Sequence, residues 1–234
     1  MALAVSEWGL TGVETLRDQV SVLVIVDVLS FSTAVDVATS RGAVVHPFAY
    51  GDQEAAEAAA ARVGAVLARP RRTAGGQLSL SPVSLATIPA GLKVMLPSPN
   101  GSRLSLACGG TPVLAGCLRN AASVARAAKA IAGAGVVGVI PAGERWPDGG
   151  LRPAIEDLLG AGAILDHLDL PCSPEAQVAR DAYRSAGGNL ANLIRASVSG
   201  RELIDAGFAG DVEMALEEGA SCCAPMLIDG AYRG

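Results

Sequence analysis

The stretch SVLVIVDVL, Ser21 to Leu29, decides the fold class. Its β-branched residues form an almost continuous apolar run, the pattern of a central parallel strand covered on both faces. Its single acid is Asp27, near the end where such a strand leaves the sheet. The next segment, STAVDVATSRG, predicts a helix from Ser32 with Gly42 near its end, and AVVHPF supplies a second strand, completing a βαβ unit. The alternation continues through QEAAEAAAARVG as a helix and AVLAR as a short strand. From Pro70 to Pro89 the Gly, Pro, Ser and Thr punctuation predicts a long loop, and long loops in compact domains are often functional.

Further strands follow in KVMLP, PVLAG and GVVGVIPAG, with helices near Ser102 to Gly109 and Asn120 to Ile131. Beyond Pro153 the chain reads as mostly helical, and CAPMLIDG as a last edge strand. The class is α/β, with a parallel or mixed sheet flanked by helices. We expect one domain over residues 1–234, whose helix-rich C-terminal half is compatible with a smaller lobe divided off near 145–155.

Composition narrows the chemistry. A chain of 234 residues, half of them hydrophobic, can bury a substantial core, and its Ala and Gly content fits either close helix-to-sheet packing or a compositional bias. The net charge of −5 and the lack of clustered Lys and Arg argue against a nucleic-acid partner. A small anionic ligand would need local help from an arginine, a helix terminus or a metal cation. The opening MALAVSEWGLTG has no basic segment ahead of an apolar core, and no run has transmembrane length, so the expectation is a cytoplasmic protein without a membrane partner. Five cysteines without CxxC or zinc-ligand spacing imply reduced thiols, with Cys222 and Cys223 packed rather than redox-active. A homo-oligomer is compatible with all of this.

GAGVVG, Gly133 to Gly138, matches a dinucleotide fingerprint literally, but a helix precedes it and a strand follows, the reverse of what that motif requires. The turn in KVMLPSPNGSRLSLA is open to two readings. Pro97, Pro99 and Gly101 are ordinary punctuation, while Asn100, Gly101 and Ser102 open a helix where a phosphate or carboxylate would be favoured. Asp27 is equally divided, between a cap for the helix starting at Ser30 to Ser32 and a crevice ligand. Glu144 follows a strand on the same rim, and Glu156 and Asp157 sit at the next helix start. Together these residues place hard oxygen donors after strands or at helix starts, a set suited to Mg²⁺ completed by a substrate phosphate. His46 and His167 are isolated and read as ordinary core or surface residues.

VIVDVLSFSTAV, the NGS turn after a strand, AGE followed by AIEDLLGAGAI, and SVSGRELIDAGFAGDV resemble, in this order, the 2-phosphosulfolactate phosphatase family. The resemblance runs from Glu7 to the final CAPML. It implies an α/β enzyme of coenzyme M biosynthesis, Mg²⁺-dependent, that removes phosphate from a small anionic phosphorylated hydroxyacid. Carried over residue by residue, it assigns Asp27, Asn100, Gly101, Ser102, Glu156 and Asp157 to the site. Beyond the resemblance, our own reading is that Asp27 with one or both of Glu156 and Asp157 holds the metal, that Asn100, Gly101, Ser102 and Ser32 meet the phosphate, and that Glu144 orients the attacking water, with Asp27, Glu144 and Asn100 as the catalytic residues. The family commonly reads DVLRAS, whereas this chain has Ser30 and Phe31 in place of Arg and Ala, which removes a forked cationic donor. That departure supports a second reading, a catalytically silent relative that binds a small anion or a protein partner.

Overall fold

The structure, a computed structural model, describes residues 2–234. Its first half comprises β1 (Leu3–Ser6), α1 (Gly9–Leu16), β2 (Val22–Val26), α2 (Phe31–Ser40), β3 (Val44–Ala49), α3 (Gln53–Val63) and β4 (Val66–Leu67). Next come α4 (Pro82–Leu85), β5 (Lys93–Ser98), α5 (Gly101–Ala107), β6 (Val113–Gly116), α6 (Ala121–Ala132) and β7 (Val136–Pro141). The second half holds the short strands β8 (Glu144–Arg145) and β9 (Leu151–Arg152), then helices α7 (Ile155–Leu168), α8 (Pro174–Ala186), α9 (Leu190–Ala196), α10 (Val198–Asp205) and α11 (Ala209–Ala215). A hairpin of β10 (Met226–Ile228) and β11 (Ala231–Arg233) closes the chain. Among the described residues, no helix is long and apolar enough to cross a membrane.

The fold is α/β, with a mixed nine-stranded sheet in the order β1-β7-β2-β6-β10-β11-β3-β5-β4. β2 lies between β7 and β6, parallel to both, and every residue from Val22 to Val26 is buried, as a continuous apolar run requires. The long loop between β4 and β5 carries only one 3₁₀ turn, Arg71–Thr73, and the four-residue α4.

The C-terminal hairpin departs from expectation. It does not sit at an edge but joins two parallel sets, pairing β10 with β6 and β11 with β3, all antiparallel. Three successive antiparallel pairings mean that β3, β5 and β4 run opposite in sense to β1, β7, β2 and β6. The turn accounts for a hairpin in place of a single strand: Asp229 and Gly230 both have positive φ, 51° and 77°, the two-residue turn that matches strand twist. Tyr232, on the second strand, is fully buried edge-on to Phe31 with ring centroids 6.0 Å apart, a contact an edge strand would not provide.

Two apolar clusters hold the layers together. One packs α6 to α9 and α11 against β2 through residues such as Val24, Val26, Ile164 and Leu165, so the helix-rich half shares its core with the central strand. The other joins Leu23 and Ile25 of β2 to Val45, Val94 and Leu96 of the opposite set, through Phe31 and Tyr232. Ala and Gly have a packing role here: a Cβ on Gly162 of α7 would lie 2.2 Å from the Ala179 carbonyl of α8.

Candidate active site

The site is built outward from the end of β2. Asp27 is buried, and its two oxygens accept different backbone amides, Oδ1 from Phe31 at 3.1 Å and Oδ2 from Gly101 at 2.8 Å. The first bond caps α2, and the second draws in the NGS turn from β5. Capping and crevice placement therefore coexist in one side chain. Gly101 is required for space rather than for backbone conformation, since a Cβ there would fall 2.2 Å from the Phe31 ring.

The two serines assigned to phosphate face inward. Ser32 Oγ donates to the Ile25 carbonyl at 2.9 Å and accepts the Asp27 amide at 3.0 Å. Ser102 Oγ donates to the Leu96 carbonyl at 2.8 Å. Each hydroxyl has a single proton, and here it secures a strand-to-helix turn.

Three further carboxylates gather around Asp27. Asp157, buried in the first turn of α7, accepts the Val28 amide at 2.7 Å and the Gly143 amide at 2.9 Å, which ties the segment after β2 to the segment after β7. Glu144 accepts Asn100 Nδ2 at 2.9 Å, so the Asn of the turn holds an acid. Glu156 is buried, and its Oε2 has no hydrogen-bond partner. Burial is the main cause that pushes Asp27 up to about 6, with two backbone bonds opposing it and Glu156 reinforcing it. Glu144 is pushed up to about 7, by burial first and the Asp27 charge second. Asp157 is also raised well above the ordinary carboxylate range, by burial and then by Asp27 and Glu156. Among the described residues, none of the four takes part in an ion pair.

Where the resemblance expects an arginine, at Ser30, a guanidinium arrives from elsewhere. Arg71, in the loop after β4, donates from Nη2 to Ser30 Oγ at 2.8 Å, and its charge acts on both Asp27 and Glu144. Buried Asp211 of α11 lies 3.0 Å from its Nε, and the Phe208 ring centroid is 5.3 Å from its Cζ. Sequence reasoning missed Arg71 and Asp211; the available signal was PRR, a basic knot in the long loop of an acidic chain. A cavity of about 570 Å³ reaches the acid cluster at Glu144 and is lined also by Leu29, Arg69, Arg71, Arg72 and the helical residues Glu202 and Leu203.

The donor set agrees with Mg²⁺ in chemistry, since it offers only hard oxygens, includes an orphaned buried Glu156 oxygen, and carries a like-charge excess that a cation would relieve. Among the described residues no three His, Cys, Asp or Glu side chains already form a closed ligand group. Mg²⁺ does not demand one, because it binds through one or two carboxylates and keeps waters and substrate phosphate for the remainder. Glu156, with its unpartnered oxygen, is the donor best suited. Asp27 and Asp157 each accept backbone amides on both oxygens and would meet a cation through the remaining lone pairs, and of the two Asp27 is the one that interacts electrostatically with all three other acids.

A comparison with protein families gives a match over residues 11–230, to the family model described as 2-phosphosulpholactate phosphatase. No curated protein matches the chain.

Proposed function

The chain belongs to the 2-phosphosulpholactate phosphatase family, whose members are hydrolases of phosphoric monoesters, and from that premise we propose a Mg²⁺-dependent enzyme that dephosphorylates a small phosphorylated hydroxyacid. The observation that carries this reading is the convergence of Asp27, Glu144, Glu156 and Asp157 without an ion-pair partner, one of them with an unpartnered buried oxygen. Buried unpaired carboxylates cost stability, and a metal-assisted site gives that cost a purpose. The acids retained around Asp27 likewise weigh against a catalytically silent relative.

Asp27 and Glu156 are the residues that would hold Mg²⁺, which supplies neutralisation of the phosphoryl oxygens as charge develops. Asp157 fixes the backbone at Val28 and Gly143, and so the spacing between the two segments that carry the other acids. Glu144, pushed up to about 7, is matched to receiving a proton near neutral pH. Asn100 orients its carboxylate. The attacking water would form a bond from its oxygen to phosphorus and give a proton to Glu144, while the bond from phosphorus to the hydroxyacid oxygen breaks and that oxygen takes a proton from solvent, Glu144 releasing its own to solvent to complete the cycle. All five cysteines are free, which supports a reducing, cytoplasmic setting for this chemistry.

The direct test is phosphate release from a panel of phosphorylated hydroxyacids, with Mg²⁺ and with chelator, on the wild type and Asp27→Asn. Release that needs both the metal and Asp27 is expected. Absence of release from every member of the panel overturns the reading.

A further inference from the structure

The cavity beside the acid cluster has its own charge pattern. Three arginines, Arg69, Arg71 and Arg72, line it together with Asp52, Glu144 and Glu202. Two acids in the wall are already engaged, since Asp52 accepts the Ala55 amide at 2.9 Å as the cap of α3, and Glu202 pairs with Arg152 at 3.4 Å. Arg69 and Arg72 are exposed and take part in no ion pair among the described residues. Arg71 differs, being largely buried and held from several sides at once.

Its Nη2 donates to Ser30 Oγ at 2.8 Å and to the Leu80 carbonyl at 3.3 Å, its Nε lies 3.0 Å from Asp211 as an ionic contact without hydrogen-bond alignment, and the Phe208 ring covers its Cζ. Asp211 is itself held by a short hydrogen bond from Ser81. Asp211 balances the charge of Arg71, so Arg69 and Arg72 are the cations of this wall that have no ion-pair partner among the described residues. A guanidinium held in a rigid frame is preorganised for oxyanions that offer it two oxygens at once, such as a carboxylate or a sulfonate. The acid cluster repels anions on the Glu144 side, so an anionic group entering the cavity is driven toward the arginines.

We propose that Arg71, flanked by Arg69 and Arg72, binds the non-transferred acid group of the substrate, a carboxylate or sulfonate, and thereby selects phosphate esters that carry a second anion. This deepens the phosphatase reading and rests on it for the orientation of the ester. Asp211 acts through Arg71 as a positioning residue. Binding at the arginines sets the distance of the phosphate from Glu144 without contributing to bond cleavage, so its loss appears mainly in KM.

Two esters separate the roles: phosphoglycolate, which carries a carboxylate, and ethyl phosphate, which does not. Arg71→Lys preserves a charge beside Asp211 but loses the fork, and Arg72→Gln removes an exposed charge with no partner to strand. For Arg71→Lys the expected result is a rise in KM for phosphoglycolate of about 10-fold or more, the scale of one charge-assisted hydrogen bond, and at least several-fold larger than any change for ethyl phosphate. Arg72→Gln should move KM the same way and by less. Equal damage on both esters, or no change on either, overturns the inference. If the wild type hydrolyses neither ester, the phosphatase reading is judged on the full panel, and the arginine site is decided separately by calorimetry with sulfoacetate against inorganic phosphate. Weaker sulfoacetate binding in Arg71→Lys with phosphate binding unchanged supports the arginine site, and no sulfoacetate binding to the wild type overturns it.

Discussion

Two groups of buried acids lie at opposite ends of one short segment, and their environments are opposites. Asp36, inside α2, is fully buried but answered, since its Oδ2 accepts Arg119 Nε at 3.0 Å and its Oδ1 accepts Ser221 Oγ at 2.6 Å. Arg119 also reaches the Met214 carbonyl at 3.2 Å and Glu217, so this ion pair ties α2 to the C-terminal segments. Asp27, just before α2, has backbone amides and three neighbouring acids but no cation in ion-pair contact. Asp36 explains its own burial as a structural bond. The Asp27 group does not, and the difference marks where the protein keeps an unfavourable arrangement for chemistry.

The sharpest way to break this comparison is to neutralise each acid in turn. Asp27→Asn should lower turnover by about 100- to 1000-fold or more, the scale of losing one preorganised electrostatic contact, while the fold survives. Its melting temperature should move by only a few degrees, because lost charge repulsion offsets one backbone amide left facing an NH₂. Asp36→Asn should do the reverse, with stability falling by about 3–5 kcal/mol because Arg119 loses its buried partner. Turnover per folded molecule should stay within about twofold. Kinetics and denaturant melts on both variants check the pair, and a folded Asp36→Asn that has lost turnover would erase the distinction.

Gly101→Ala comes next in size, because the new Cβ overlaps the Phe31 ring at 2.2 Å. Overpacking of this kind costs about 1–3 kcal/mol. It should also lower kcat, since the amide moved aside is the one that Asp27 Oδ2 accepts.

The pH dependence of stability tests the Asp27 group itself, since burial raises the Asp36 carboxyl as well. Asp27 rises from 3.8 to about 6 and Glu144 from 4.5 to about 7 on folding, so between about pH 4 and 7 the native state holds more protons than the unfolded chain. Stability contributed by these groups therefore falls as pH rises through that window and levels off above it. In chelator, the melting temperature of the wild type relative to Asp27→Asn should decline from about pH 4 to about pH 6, the window set by the Asp27 shift. Added Mg²⁺ should restore it progressively over the same range. A difference that is flat with pH would show that burial does not raise Asp27.

Much of the architecture was legible in the sequence because β2, α3 and α6 carry strong local patterns. The central placement of the C-terminal hairpin was not, since β10 and β11 have three residues each and their partners lie more than 100 positions away. The Asp-Gly turn signal was present, but it fixes a hairpin rather than where that hairpin docks. At the site, the acids could be anticipated from their positions at strand ends and helix starts. The directions of the Ser32 and Ser102 hydroxyls could not, because a serine at a turn serves backbone and ligand equally well until its neighbours are placed. Arg71 was hidden for a related reason: its importance comes from contacts with Ser30 and Asp211, 41 and 140 positions away (71 − 30 and 211 − 71), which no local pattern encodes.

The smallest expected effects separate two neighbours in one turn. Ser102→Ala removes a buried hydroxyl bonded to the Leu96 carbonyl, so stability should fall by about 1 kcal/mol and kcat and KM should not change. Asn100→Ala instead removes the donor to Glu144, a contact that lowers the Glu144 pKa against the burial that raises it. Without that donor the carboxyl holds its proton to higher pH. If Glu144 accepts the proton from water, the acidic limb of the kcat profile must move upward from about 7 in Asn100→Ala, and stay in place in Ser102→Ala. The comparison is internal, because both substitutions are alanines within the same turn, and a general loosening of the turn would move both profiles together. A limb that shifts in Asn100→Ala alone ties this turn to the chemistry through its asparagine; equal profiles would make Asn100, like Ser102, a residue that only shapes the turn.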